Sequence, residues 1–140
     1  MIYGFYHVSV MKDHWKTIFL DQINKIQSSG LYEKTEKIYL GILSKNYDFT
    51  EFNLPSKYEI LFNYNDISLG EIPTLQKLWN FCQTDDMDKI WYIHAKGVSR
   101  ESNAGVEDWR KYMEEFVING HEACCESLEE FDVCGVDWYT

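Results

Sequence analysis

The sequence predicts an α/β fold of three layers, built on a mainly parallel, Rossmann-like sheet. Short β-branched and aromatic runs alternate with amphipathic stretches in the order strand, helix, strand, strand, helix, strand, helix, strand. Several of the runs are almost continuously apolar, as strands covered on both faces are. Helical crossovers between them pair the strands in parallel and place the helices on the sheet faces. At 140 residues, 45% hydrophobic and 16% aromatic, the chain is one ordered domain that can bury a core without disulfides or metal.

Residues 2 to 10, from Ile2 to Val10, read as the first strand. Asp13 is placed to cap a helix whose Trp15, Ile18, Phe19, Ile23 and Ile26 form one apolar stripe, and Ser28, Ser29 and Gly30 stop it. Ile38 to Leu43 is the second strand, followed by a loop that Pro55 closes; Tyr58 to Tyr64 is the third, of the buried parallel kind. Pro73 suits the first turn of a helix with Leu75, Leu78, Trp79 and Cys82 on its apolar face. After a polar turn from Gln83 to Asp88, Lys89 to Ile93 forms the fourth strand. A helix from Val106 presents Trp109, Tyr112, Met113, Phe116 and Val117 as a core stripe, with a break or close contact at Gly120. Phe131 to Trp138 reads as a fifth strand.

A formal net charge of -10 and a pI near 4.7 exclude general nucleic-acid and anionic-membrane binding, since the far field repels both. No run approaches the ~18 apolar residues of a spanning helix, and the first residues lack a basic leader and a cleavage site, so a cytosolic protein is expected. Cys82, Cys124, Cys125 and Cys134 show neither a disulfide framework nor paired CxxC spacing, and read as packing residues even though His121 stands at helical spacing from two of them.

Ligands of parallel sheets bind outside the carboxyl ends of the strands. That rule selects His7 and Ser9, then Asn63, Asn65, Asp66 and Glu71, then His94, Lys96, Ser99 and Arg100, and Asp137 near the end. The fourth group is the most informative. Lys89 to Arg100 carries four potentially cationic side chains and no acid in an acidic chain, and it runs from a buried strand into a loop containing Gly97. Lysine as a point charge, arginine as a fork and free backbone N–H groups suit a diphosphate. Asp86-Met87-Asp88 has the D-x-D form that holds a divalent metal in nucleotide-sugar enzymes, but it precedes the fourth strand and so lies at the amino end; it reads as a turn. Glu71 and Thr74 open a helix, where they either complement its dipole and cap it or touch a sugar or nucleotide. Asp137 is a surface carboxylate or a general base.

Glu71-Ile72-Pro73-Thr74-Leu75, Tyr92-Ile93-His94-Ala95-Lys96-Gly97-Val98-Ser99, Asp108-Trp109-Arg110-Lys111-Tyr112-Met113-Glu114 and Cys134-Gly135-Val136-Asp137-Trp138 follow one another in order. Together they resemble the signatures of a GT-A-like glycosyltransferase family of bacteria and large DNA viruses. The histidine, lysine and serine spacing is also similar to the H-T-K-x-S segment of rhamnan-synthesis proteins.

The resemblance implies the nucleotide-sugar-binding half of a GT-A fold and transfer of a sugar, of the hexosyltransferase type, from a nucleotide-diphosphate donor to a glycan or glycoprotein acceptor, as in polysaccharide biosynthesis. His7, Val8 and Ser9 would line the nucleotide pocket, and His94, Lys96, Gly97 and Ser99 would lie beside the diphosphate. Mn²⁺ or Mg²⁺ is compatible with such a donor, yet without a well-placed acidic pair Lys96 is expected to supply part of the metal's charge. Relatives in that family continue past the last motif into strands that hold the acceptor, so the acceptor-binding part is expected outside these 140 residues, a second chain being one source of it. The alternative is a non-catalytic nucleotide- or protein-binding α/β module.

Overall fold

The computed structural model describes residues 1–84, 88–95 and 103–136. Its four strands are β1 (Ile2–Ser9), β2 (Lys37–Leu43), β3 (Tyr58–Tyr64) and β4 (Lys89–His94). They pair in parallel throughout, in the order β3-β2-β1-β4. The helices are α1 (Trp15–Ser28), α2 (Leu31–Lys34), α3 (Ile72–Cys82), α4 (Ala104–Glu114) and α5 (His121–Ser127), with a π-helical turn, Glu115–Asn119, between the last two. The α/β class and the parallel sheet are therefore as the sequence predicts. No helix among the described residues is long and apolar enough to cross a membrane.

Successive side chains of a strand point to opposite faces, and here the two faces are packed differently. Tyr6 and Val8 of β1, Leu40 and Ile42 of β2 and Trp91 and Ile93 of β4 join Phe19, Ile23 and Ile26 of α1 and Ile118 of the π turn in one buried cluster. The opposite face is aromatic. Phe81 of α3 packs its ring against Tyr3, Phe5 and Tyr39, with ring centroids 4.9 to 5.7 Å apart. Gly30 sits at φ 85° between α1 and α2, a left-handed turn that a side chain would strain.

Four expectations need correction. Asp13 does not cap α1: the helix begins at Trp15 with His14 in the cap position and no side-chain cap. β3 is an edge strand with Glu59, Ile60, Asn63 and Tyr64 exposed, and a register shift at Leu40/Gly41 bends its pairing. Residues 131–136 form no strand, and Phe131 and Val133 are exposed, so β4 is the other edge among the described residues.

The remaining correction concerns two helices whose buried faces are rotated from the apolar stripes. On α3 the contacts to the sheet come from Thr74 and Phe81, while Leu75 is 44% and Trp79 67% exposed. On α4, Trp109, Tyr112 and Phe116 are exposed, and the buried residues are Arg110 and Glu114. An ionic network explains the second case. Glu114 receives Lys25 at 2.5 Å and Gln22 Nε2 at 3.0 Å, with Arg110 Nε at 3.4 Å. Gln22 also accepts the Tyr6 hydroxyl at 2.5 Å and donates to the His94 carbonyl at 3.2 Å. Burial raises the Tyr6 phenol well above its ordinary pKa, so it stays a donor. Charges buried in mutual contact can replace an apolar face, as Glu114 does with Lys25 and Gln22, although Arg110 Nε makes no hydrogen bond among the described residues. Gly120 closes the π turn, its N–H bonding Glu115 O at 2.8 Å, and a side chain there would meet the Phe116 carbonyl.

Candidate functional site

The register sets His7 beside Gly41 on one side and His94 on the other. All three lie near the carboxyl ends of their strands, on the face that α3 covers. Gly41 makes this possible: a Cβ built there would stand 2.0 Å from Thr74 Oγ1 and 2.7 Å from Phe62 Cζ. The missing side chain lets the first turn of α3 descend onto the sheet.

Thr74, wholly buried, then hydrogen-bonds His7 Nδ1 at 2.7 Å, and Ser9 Oγ meets His7 Nε2 at 3.0 Å. Glu71 lies three residues before Thr74, hence on the same face of the turn, and its Oε1 meets His94 Nδ1 at 2.6 Å. Tyr92, two residues before His94 and so on the same sheet face, donates its hydroxyl to the same oxygen. Two neighbouring histidines thus hold one helical turn at two points.

The electrostatics follow from this packing. Burial lowers His7 from 6.5 to about 4, so the imidazole is neutral at physiological pH; the Glu71 carboxylate pulls the other way without compensating. The hydrogen bond from His94 lowers Glu71 to about 2, with Tyr92 contributing, and the carboxylate is ionised. Burial, and next the bond to Glu71, push the Tyr92 phenol far up, which keeps it a proton donor. His94 Nε2 is buried with no hydrogen-bond partner among the described residues. A polar atom left so is where a bound group gains most.

Of the residues that the strand-end rule selects, the structure brings together His7, Ser9, Glu71 and His94, and it adds Thr74 from the start of α3. Val8 is not among the lining side chains: it points to the α1 face and is fully buried there. Asn65 and Asp66 follow β3, which β2 separates from β1. Asp66 accepts from the Ser68 N–H at 3.0 Å and hydroxyl at 2.6 Å and caps the turn Ile67–Leu69. Asn63 binds the Ser44 hydroxyl and the Tyr47 carbonyl and holds a loop. Lys96, Gly97, Ser99, Arg100 and Asp137 lie outside the described residues, as do Asp86 and Met87. Asp88 pairs with the amino group of Met1 at 3.1 Å, at the amino end of the sheet. No three histidine, cysteine or acidic side chains come together as a metal site among the described residues.

A profile for a domain of unknown function, DUF8361, matches residues 5–140. The chain belongs to that family. Comparison with curated proteins and with solved structures gives no match. The DUF8361 match covers both the clamped helix turn and the segment that follows β4, so the whole strand-end cluster belongs to the family's domain. Tyr92 is the member of the cluster that strand-end reasoning misses. Its signal is the i, i+2 spacing to His94, which puts both on one face.

Proposed function

We propose that this DUF8361 domain binds a nucleotide-diphosphate sugar at the carboxyl ends of β1 and β4, as the donor-binding half of a GT-A-like glycosyltransferase that passes the sugar to a glycan or glycoprotein acceptor. The observation that carries the reading is the convergence of His7, Ser9, Glu71, Thr74 and His94 at one end of an all-parallel sheet, where such sheets take their ligands. The ordered motifs give the ligand its chemistry. Lys96 and Arg100 follow β4 directly in sequence and would meet the diphosphate, and His94 would lie beside it. Ser9 would serve the nucleotide side.

Electrostatic stabilisation of the departing nucleoside diphosphate would be the main catalytic contribution, and Lys96 would supply charge that a divalent metal otherwise brings. Calorimetry of the purified chain with UDP, GDP and their sugar conjugates, with and without Mn²⁺ or Mg²⁺, tests this. Binding that Lys96→Ala weakens by about tenfold is expected, the worth of one charged contact. If no nucleoside diphosphate or nucleotide sugar binds at millimolar concentration, the donor reading fails; an absolute metal requirement removes the role given to Lys96.

One observation favours the second reading, a non-catalytic protein-binding module. Ile72, Leu75 and Trp79 form an exposed apolar face on α3, next to the clamped turn. Donor binding without sugar release or transfer, even with an acceptor-binding chain supplied, would move the assignment there.

A further inference from the structure

Among the described residues the sheet ends at β4, and its ladder to β1 fixes what that edge presents. Lys89 N–H bonds the Met1 carbonyl at 3.0 Å, and Ala95 N–H the His7 carbonyl at 3.0 Å. Peptide groups alternate in direction along a strand, so residues 89, 91, 93 and 95 turn their N–H and C=O groups to β1, while Ile90, Tyr92 and His94 turn theirs away from it. Gln22 Nε2 takes up the outward His94 carbonyl at 3.2 Å. The outward groups of Ile90 and Tyr92 have no hydrogen-bond partner among the described residues. An open edge of this kind is a template for another strand.

Space for one lies alongside. A cavity of about 410 Å³ borders Lys89 to Tyr92, roughly 10 Å of strand, and its far residues include Val133 and Val136. On the face of the sheet that α1 covers, its wall is apolar, formed by Trp91 and Val117 with Leu128. Ile90 has the same strand parity as Tyr92 and so points to the α3 face. With Leu128 it also lines an adjoining cavity of about 610 Å³, where Asp88, Glu129 and Asp132 stand beside Cys82 of α3. Lys89 is the one lysine or arginine among the described residues that lines either cavity, and Glu129 binds it. Exposed Glu126 and Glu130 add to the acidic surroundings, in a chain of net charge -10.

We infer that the free edge of β4 takes an extended, cationic peptide segment of a partner protein as an added strand, its apolar side chains on the Trp91 side alternating with lysine or arginine on the Ile90 side. The partner's backbone satisfies Ile90 and Tyr92, and the alternation follows from the unlike chemistry of the two faces. A second copy pairing edge to edge is disfavoured, because each copy brings a charge of -10 and the same acidic groups. The inference does not rest on donor binding.

The test is NMR of the isotope-labelled chain with a capped seven-residue peptide of alternating lysine and valine, and with its glutamate and valine counterpart. Saturable submillimolar binding of the lysine peptide is expected, at least about tenfold tighter than the glutamate peptide. At saturation the amide hydrogens of Ile90 and Tyr92 should exchange at least about tenfold more slowly, while those of Trp91 and Ile93, already bonded to β1, change far less. Ile90→Pro removes an outward N–H that the β1 ladder does not use, a change that an edge strand tolerates, and should weaken the peptide by at least about tenfold while circular dichroism shows the fold retained. The inference is overturned by absence of saturable binding, by equal binding of the glutamate peptide, by unchanged exchange at Ile90 and Tyr92 at saturation, or by undiminished binding to a folded Ile90→Pro variant. Protection of those two amides in the free chain that rises with its concentration, the mark of a second copy on the edge, overturns it as well. If Ile90→Pro does not fold, the exchange measurement on the native chain still decides it.

Discussion

His7 makes the stability of this domain depend on pH in a defined window. Its imidazole is buried between Thr74 and Ser9, and burial lowers it from 6.5 to about 4. The unfolded chain takes up a proton at this residue as pH falls through 6.5, whereas the folded chain does not until about 4. The contribution is therefore fully present above 6.5, declines between 6.5 and about 4, and is gone below. At 1.36 kcal/mol per unit, the whole window is worth about 3 kcal/mol, of which about 2.5 kcal/mol is lost between about pH 7.5 and about pH 4.5. The perturbation that isolates it is His7→Asn, which keeps a polar atom near the Nδ1 position and cannot titrate. Urea denaturation of both proteins across that range gives the stability gap between them at each pH. The native protein should lose about 2.5 kcal/mol of its advantage toward the acid end, because titration of the groups common to both proteins largely cancels in the difference. A gap that stays constant to within about 0.5 kcal/mol would show that His7 is solvated or charged in the native state and would refute the argument.

Two other substitutions probe the framework of the site. Gly41→Ala should cost about 1–3 kcal/mol in urea melts and lower donor affinity, since the new methyl occupies the place of Thr74 Oγ1; Gly41→Ala in a Thr74→Ala background should cost less than the sum of the single changes, and strict additivity would contradict the close approach. Gln22→Leu removes the groups that meet Tyr6, Glu114 and the His94 carbonyl together, and a loss of about 2–5 kcal/mol is expected by chemical denaturation; a loss under about 1 kcal/mol would mean that the buried network is solvated.

What the sequence made legible divides along physical lines. β1, β2, β4 and α1 were readable because their apolar periodicity reports burial directly. The α4 stripe misled because Arg110 and Glu114, four apart, are buried as a pair with Lys25 and Gln22, residues some ninety positions away, and hydrophobic periodicity carries no sign of such pairing. β3 reads as central from composition alone, but whether a strand is at an edge depends on the order of the sheet. The fifth strand failed on the same ground, since an apolar run needs an available partner strand and residues 131–136 take none. At the site, the strand-end rule found four clustered side chains, His7, Ser9, Glu71 and His94, because it depends on topology and not on motif, while Thr74 was legible only as a residue that opens a helix. It selected Asp66 as well, for the rule cannot separate a turn cap from a ligand contact at the end of an edge strand.

The arrangement of α3 also bears on how an acidic residue can stand in a proposed diphosphate site. An unpaired carboxylate beside a donor's phosphates would oppose binding. Glu71 is ionised, but the hydrogen bonds it accepts among the described residues, from His94 and from Tyr92, both fall on Oε1 and draw its charge toward the sheet. The bond from His94 Nδ1 makes that nitrogen the proton carrier and leaves Nε2, buried and without a hydrogen-bond partner among the described residues, as the ring's second nitrogen. In the proposed reading Glu71 thus acts through His94, fixing the orientation of its ring. Thr74 does the corresponding work on His7, which burial keeps neutral. Two histidines side by side in the sheet are thus held in different ways, one by the Glu71 carboxylate and the other, kept neutral by burial, by Thr74, and in the proposed reading an anionic ligand would be drawn to the β4 side, where Lys96 and Arg100 follow in sequence.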